Sequence, residues 1–220
     1  MGDPMLQLAV LGVIALFVIL RLRSVLGTRT GFEPPQGVTP KAANKSAKPT
    51  LEVIEGGIDR DISDHVDVGS SSGKALAHMK KAEPSFSVTE FIGGASQAYE
   101  MILIAFEEGD RDGLRPFLAD DVYESFDAVI AEREAAGLSV DATFAGLRDI
   151  KLTEAEYDWR TKEGEITLSL VAELSAVVTN AKGKVVEGDK AKVKRQKDVW
   201  TFAREMGSDD PNWLLIATGG

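Results

Sequence analysis

Catalysis in a chain of this size would need a nucleophile, a proton carrier or a metal cluster, and few side chains here could supply one. The 220 residues include no cysteine and two histidines, His65 and His78. Thiol nucleophiles, thiolate metal sites and disulfide frameworks are therefore excluded, and a His-rich metal centre is improbable. The densest acidic stretch sets Asp59, Asp61, Asp64 and Asp67 around His65. It lacks the sharp-turn glycine and the position-twelve glutamate of a calcium loop, so it reads as a solvated acidic linker. A proton-abstracting enzyme needs a pocket carboxylate or histidine with a raised pKa, and a donor for the developing oxyanion. Asp127, Asp141 and Asp158 are the residual candidate bases, and Tyr99, Tyr123 and Tyr157 the candidate donors. Each also has an ordinary role as a cap, a surface carboxylate or a packed aromatic. No catalytic residue, metal ligand or cofactor is assigned. A non-catalytic binding protein is expected, with a membrane-tethered enzyme acting on a small apolar substrate as the alternative.

The charge distribution shows what must position any such site. The formal charge is −10 overall, but residues 1–50 hold six Lys/Arg against two Asp/Glu, net +4, and residues 51–220 carry net −14. An acidic main body repels duplex phosphate, and no aromatics interleave its basic run, so nucleic acid is not an expected partner. The arm begins with an apolar run. From Met5 to Leu20 there is no charge, and eleven of those sixteen positions are Leu, Ile, Val or Phe. The eighteen residues from Met5 to Leu22 would span about 27 Å as a helix, close to the ~30 Å hydrocarbon core of a bilayer. Residues 1–26 therefore read as a transmembrane anchor that spans once. No basic residue precedes the run and no small-x-small site follows it, which argues against a cleaved signal peptide. Arg21, Arg23 and Arg29 follow it, so the positive-inside rule expects the N-terminus outside and the C-terminal domain cytoplasmic.

Residues 27–84 read as a flexible linker, rich in Gly, Pro, Thr, Lys and Ala at its start, with a possible short helix near 74–81. A folded domain is expected over 85–220. Ser87 and Glu90 have the spacing of a capping box, with Phe86 and Phe91 as its hydrophobic staple. A helix should run from there to Glu108 and stop before Gly109. Phe91, Ala95, Ala98, Tyr99, Ile102 and Phe106 line one face, while Gly93 and Gly94 suggest close packing on another backbone. A short helix ends near Leu118. A further one, capped by Asp120 or Asp121, runs to Ala136 with Val122, Phe126, Val129 and Ile130 inward and Glu132, Arg133 and Glu134 in water. After Gly137 the period changes to two. The clearest strand is Glu165–Thr179, with Ile166, Leu168, Leu170, Ala172, Leu174, Ala176 and Val178 on one face. Strands over about 191–204 and 213–218, and one that begins between Thr143 and Lys151, complete a four-stranded meander. Helices followed by a meander mean an α+β domain, with helices packed on a curved antiparallel sheet.

The expected ligand site is an apolar pocket between sheet and helices, lined by Phe91, Tyr99, Phe126, Trp200 and Phe202, which would take a protein segment or an acyl lipid. Lys80 and Lys81, and Lys192 with Lys194 on one strand face, are possible contacts to anionic lipid.

Several segments resemble one family. RLRSVLGTRTGFEPP directly after a short apolar anchor, and the stretch from FIGGASQAYEMILIAFEEGDRDGLRPFLADDVYESFDAVIAEREAAG through DVWTFAREMGSDDPNWLLIA, look like bacterial relatives of the mitochondrial inner-membrane import subunit of forty-four kilodaltons. The resemblance implies a cone similar to nuclear transport factor two, in which helices close over a bent sheet and leave an apolar pocket. It also implies a bacterial inner-membrane protein engaged in protein translocation or membrane-protein handling. The anchor and short linker stand where the mitochondrial members carry a presequence and a long charged motor-binding region, so chaperone binding is not implied.

Overall fold

The computed structural model describes residues 59–219. The expected span Met5 to Leu22, the topology-setting arginines 21, 23 and 29, and the linker up to residue 58 lie outside the described residues. Among the described residues no helix is long and apolar enough to cross a membrane.

Five helices precede the sheet: α1 (Arg60–Ser63), α2 (Ser71–Ala82), α3 (Val88–Glu108), α4 (Arg111–Leu114) and α5 (Asp120–Ala135), with a 3-10 turn (Arg115–Phe117) before α5. The start and stop of α3 follow from local chemistry. Ser87 Oγ accepts from Glu90 N at 3.2 Å, and Gly109 ends the helix at φ 75°, the left-handed conformation that glycine adopts without cost. Phe91, Ala95, Tyr99, Ile102, Leu103 and Phe106 are its buried face.

The last part of the expected linker is folded. Leu76 and Met79, three residues apart on α2, are fully buried, and Ile62 of α1 joins the same core. A twelve-residue helix is marginal alone, but it is held when one face meets a sheet. Ser72 Oγ accepts the Ala155 N–H at 3.0 Å, tying α2 to an edge strand 83 residues away. Gly73 permits the tight entry, since a Cβ there would come within 2.4 Å of the Asp67 carbonyl oxygen.

Five strands form one antiparallel sheet: β1 (Leu138–Tyr157), β2 (Glu163–Asn180), β3 (Val185–Gly188), β4 (Lys194–Glu205) and β5 (Leu214–Gly219). The order is β1-β2-β4-β5. The unexpected fifth strand, β3, pairs with β2 beyond the end of β4. β1 carries three register shifts against β2, between Phe144 and Gly146, Leu147 and Asp149, and Leu152 and Glu154. Such bulges bend a strand and increase its twist. They let two long strands wrap the helices, and α2 and α3 pack on β1. In β2 the alternation buries Ile166, Leu168, Leu170, Ala172 and Leu174 as expected. It then changes phase, with Ser175 and Val177 buried in place of Ala176 and Val178, where β3 replaces β4 as the neighbour.

Two expectations for α5 are corrected. Its cap residue is Ala119, with no side-chain cap, and Asp120 already lies inside the helix. Arg133 is 8 % exposed rather than facing water. Its guanidinium donates to the Phe106 carbonyl and to Glu107, and lies over the Phe106 ring. The Phe106 carbonyl in the last turn of α3 and the Glu107 carboxylate supply the acceptors that make this burial tolerable.

Candidate functional site

The core is filled where a pocket was expected. Tyr99 is fully buried, with its ring 4.6 Å from Trp200 and 6.2 Å from Phe144, and Trp200 stands 6.2 Å from Phe202. Phe126 packs 4.7 Å from Phe106, under α5. Of the five expected lining residues, Phe91 and Phe202 line a cleft at the edge of this core.

That space is a cleft of about 340 Å³ at the N-terminal end of α3, where β4 ends and the chain turns into β5. Phe86, Phe91 and Trp213 form one wall, with Phe91 4.6 Å and Phe86 5.8 Å from the Trp213 ring. The staple residues of the sequence thus double as cleft walls. Pro116 and Phe117 stand on the other side, and Gly94, Ala95 and Ala98 of α3 form the floor. Among the described residues the glycine pair serves no close packing. A Cβ added at Gly93 or at Gly94 would meet nothing within 4 Å.

Arg204 closes the cleft. It is the last inward-leaning position of β4, and its side chain is 8 % exposed. One Nη donates to Glu83 and the other to the Pro211 carbonyl at 3.2 Å, and its face lies 5.4 Å from the Trp213 ring centroid. Among the described residues its Nε is buried without a hydrogen-bond partner. Burial works against ionisation of Glu83, but Arg204 and the Gly207 N–H, at 2.9 Å, outweigh it and hold the carboxyl below its ordinary value. Arg204 and Trp213 were not singled out as site residues from sequence. The available signal was an arginine continuing the apolar alternation Trp200, Phe202 of β4.

The candidate bases are engaged elsewhere. Asp127 pairs with Arg111, Asp141 with Lys190, and Asp158 accepts from the Arg160 N–H at 2.7 Å in the turn before β2. Tyr99 donates instead to Asp198, a buried carboxylate absent from the sequence candidates, at 2.7 Å. Gln196 Nε2 also donates to it at 2.8 Å. Burial first, and then the Asp198 charge, push the Tyr99 phenol upward, so it stays a neutral donor. Tyr123 lies under Arg115 at 4.8 Å, and Tyr157 stacks on His78 at 6.2 Å. Neither Tyr99 nor Asp198 borders the cleft.

The acidic stretch that read as linker is a fastening. Asp61 accepts from Val88 N at 2.8 Å, Thr89 N at 2.9 Å, Ser87 Oγ at 3.1 Å and Lys80 Nζ at 2.9 Å. Asp59 holds Lys80 as well, at 2.8 Å. Lys80 is thus not the free cation a lipid contact would use. Lys81 and Lys194 are exposed. Lys192 lies in the turn before β4 rather than on a strand face beside Lys194, and stands 4.0 Å from Asp189.

A second, wider concavity of about 740 Å³ lies between α2 and the β1–β2 turn, among His78, Tyr157 and the exposed Trp159. Glu156 stands directly across the ladder from Glu165. Burial, then the charges of Glu163, Glu156 and Glu154, push the Glu165 carboxyl up. A raised carboxyl subtracts stability while ionised and ceases to do so as pH falls through its folded value. Glu165→Gln is expected to stabilise the fold at pH 8, by about 0.5 kcal/mol after solvent screening. The gain should vanish near pH 4, as read by urea denaturation at both pH values.

A family model described as Tim44-like domain matches residues 72–220. Over 147 residues the chain is 25 % identical to the human mitochondrial import inner membrane translocase subunit TIM44, covering 65 % of this chain and 32 % of that protein. The rat protein of the same description is 24 % identical over the same length. The chain therefore spans about a third of the length of these curated relatives, at 32 %. Among solved structures, the intermembrane space region of the chloroplast protein ARC6 is similar with a TM-score of 0.40 and 13 % identity, over 58 % of this chain and 94 % of that one.

Proposed function

The chain belongs to the Tim44-like domain family, and from that membership we propose that it is a non-catalytic binding protein serving protein translocation or membrane-protein handling at an inner membrane. The relatives' description as import inner membrane translocase subunits supports the process. The observation that carries the binding role is the open aromatic cleft at the start of α3. Asp127, Asp141 and Asp158 being tied to partners, and Asp198 lying in the core, favour binding over proton-transfer chemistry.

In this reading Met5–Leu22 spans a bacterial inner membrane once, and Arg21, Arg23 and Arg29 keep the cleft-bearing domain on the cytoplasmic side. The acidic domain is held off an anionic leaflet and works as a tethered binder. Carbonate washing is expected to leave the full chain in the membrane pellet and to release a variant lacking residues 5–22. Release of the intact chain would defeat the spanning model. A photo-crosslinker at Phe117, on the cleft mouth, should capture translocating or inserting polypeptides in cells. Recovery of only a small metabolite would overturn the proposed role.

A further inference from the structure

We propose that residues 41–48 of the basic arm dock in cis on the outer face of the sheet beside the β1–β2 turn, where their lysines meet Glu154, Glu156, Glu163, Glu165 and Glu205 and rest their stems on Trp159. This contact is separate from the cleft, and it stands or fails whatever the cleft binds.

Four observations converge on it. The first is an unbalanced sheet face. Glu156 stands across the ladder from Glu165, and Glu163 across from Glu205, with Glu154 two residues before Glu156 on the same strand. Like charges directly opposite one another cost a sheet stability. Asp141, Asp149 and Glu173 of the same sheet each hold a Lys or Arg, but among the described residues no Lys or Arg pairs with any of these five glutamates. The second is Trp159, in the turn between β1 and β2. At 73 % exposure it is the most exposed large apolar side chain among the described residues, and it lines one concavity with Glu156, Glu163 and Glu165. A bare ring beside carboxylates suits lysine, whose stem is apolar and whose head is charged. The third is the charge of the arm. Residues 34–51 contain Lys41, Lys45 and Lys48 and no Asp or Glu. In an extended chain Lys45 and Lys48 stand about 10 Å apart, which is the width of the face from β1 across β2 to β4 at about 4.8 Å per strand. The fourth is where the arm joins the fold. Asp59 holds Lys80 of α2, and His78 of the same helix lines the concavity. The eleven residues from Lys48 to Asp59 reach about 17–20 Å as a flexible chain, which presents the lysines at millimolar effective concentration. Docking shortens the tether after Leu22 to the stretch before Lys41, from about 30–36 Å to about 22–26 Å in r.m.s. span, and draws the domain toward its anchor.

The test treats the full chain, in an uncharged detergent, with a water-soluble carbodiimide, which joins a lysine to a carboxylate only where the two touch. The joined pairs are mapped by mass spectrometry. Lys41, Lys45 and Lys48 are expected to couple to the five glutamates at least fivefold more than to Asp64 and Asp67, which are exposed and nearer to the arm along the chain. That coupling should fall at least threefold between about 0.05 M and about 0.5 M salt, because exposed charges are screened. The coupling of Lys80 to Asp61, held within the fold, should persist. The triple variant Glu156→Gln, Glu163→Gln, Glu165→Gln removes mutual repulsion together with the partner charges. It should keep or raise the thermal midpoint while Lys41, Lys45 and Lys48 lose their preference for this face, so the loss is not lost folding. A mixture of nitrogen-15-labelled and unlabelled chains separates the two possible sources of the lysines. Pairs joined within one chain support docking in cis, whereas mixed pairs would seat a second copy on the face and overturn the assignment. Equal coupling to Asp64 and Asp67, or coupling to Glu154 and Glu205 that survives undiminished in the variant, would also overturn it.

Discussion

Asp61→Ala is expected to cost the domain about 3 kcal/mol, a large loss for a residue whose surroundings in sequence read as solvated linker. The carboxylate accepts from the first N–H groups of α3, at Val88 and Thr89, and from Ser87 Oγ and Lys80 Nζ. Loss of a helix cap costs about 0.5–2 kcal/mol, and hydrogen bonds to a charged group about 1.5–3 kcal/mol. Two features keep the total from running higher. Ser87 Oγ still caps Glu90, and Lys80 keeps Asp59. The urea midpoint should fall with little change in slope, and amide exchange should quicken across α1 and α2, which Asp61 joins to α3. The pH dependence provides a second check. Burial alone would raise the Asp61 carboxyl, but the bonds from Lys80, Thr89 and Val88 outweigh it and hold the group well below the usual range. A depressed carboxyl contributes stability in full above its unfolded value, about 3.9, and loses it as pH falls further. The gap between parent and Asp61→Ala should therefore be constant from about pH 5 to 8 and narrow below about pH 4. A gap that widened in acid would contradict the geometry.

Tyr99→Ala should be the most damaging single truncation in the core, at about 4 kcal/mol, because a fully buried ring in contact with Trp200 leaves a void the sheet cannot close. Tyr99→Phe separates the hydroxyl from the ring. It removes the 2.7 Å donor to Asp198, which is 5 % exposed and then depends more heavily on Gln196. About 2 kcal/mol is expected from that change alone. If Tyr99→Phe matched the parent within about 0.5 kcal/mol, the buried pair would not be a stabilising element. The pair is a core fastening between α3 and β4, away from the cleft.

Both predictions concern residues whose role the linear pattern obscured. Asp61 acts on Val88, 27 residues downstream, and Tyr99 on Asp198, 99 residues away. Periodicity says which side of an element is apolar, but it does not say which polar group on another element will meet it. Arg133 shows the same gap. Its place beside Glu132 and Glu134 looked aqueous, and only the end of α3 made it a buried donor to Phe106. Ser72 and Ala155 are joined across 83 residues, which is why α2 belongs to the domain although its short sequence looked like linker.

The sequence by itself determined the α+β class and family, the limits of α3 from Ser87 to Gly109, and the alternation of β2 as far as Leu174. These are properties of a cap, a glycine and a period, all local. Only the tertiary structure decided where open space remains. Of the aromatics expected to line an interior pocket, Tyr99, Trp200 and Phe202 pack in sequence and Phe126 packs on Phe106, and the cleft lies at the mouth, where Phe91 from a helix, Arg204 from a strand and Trp213 from a turn come together. Open volume is what packing leaves over, and it depends on how every neighbouring element seats, which no single segment encodes.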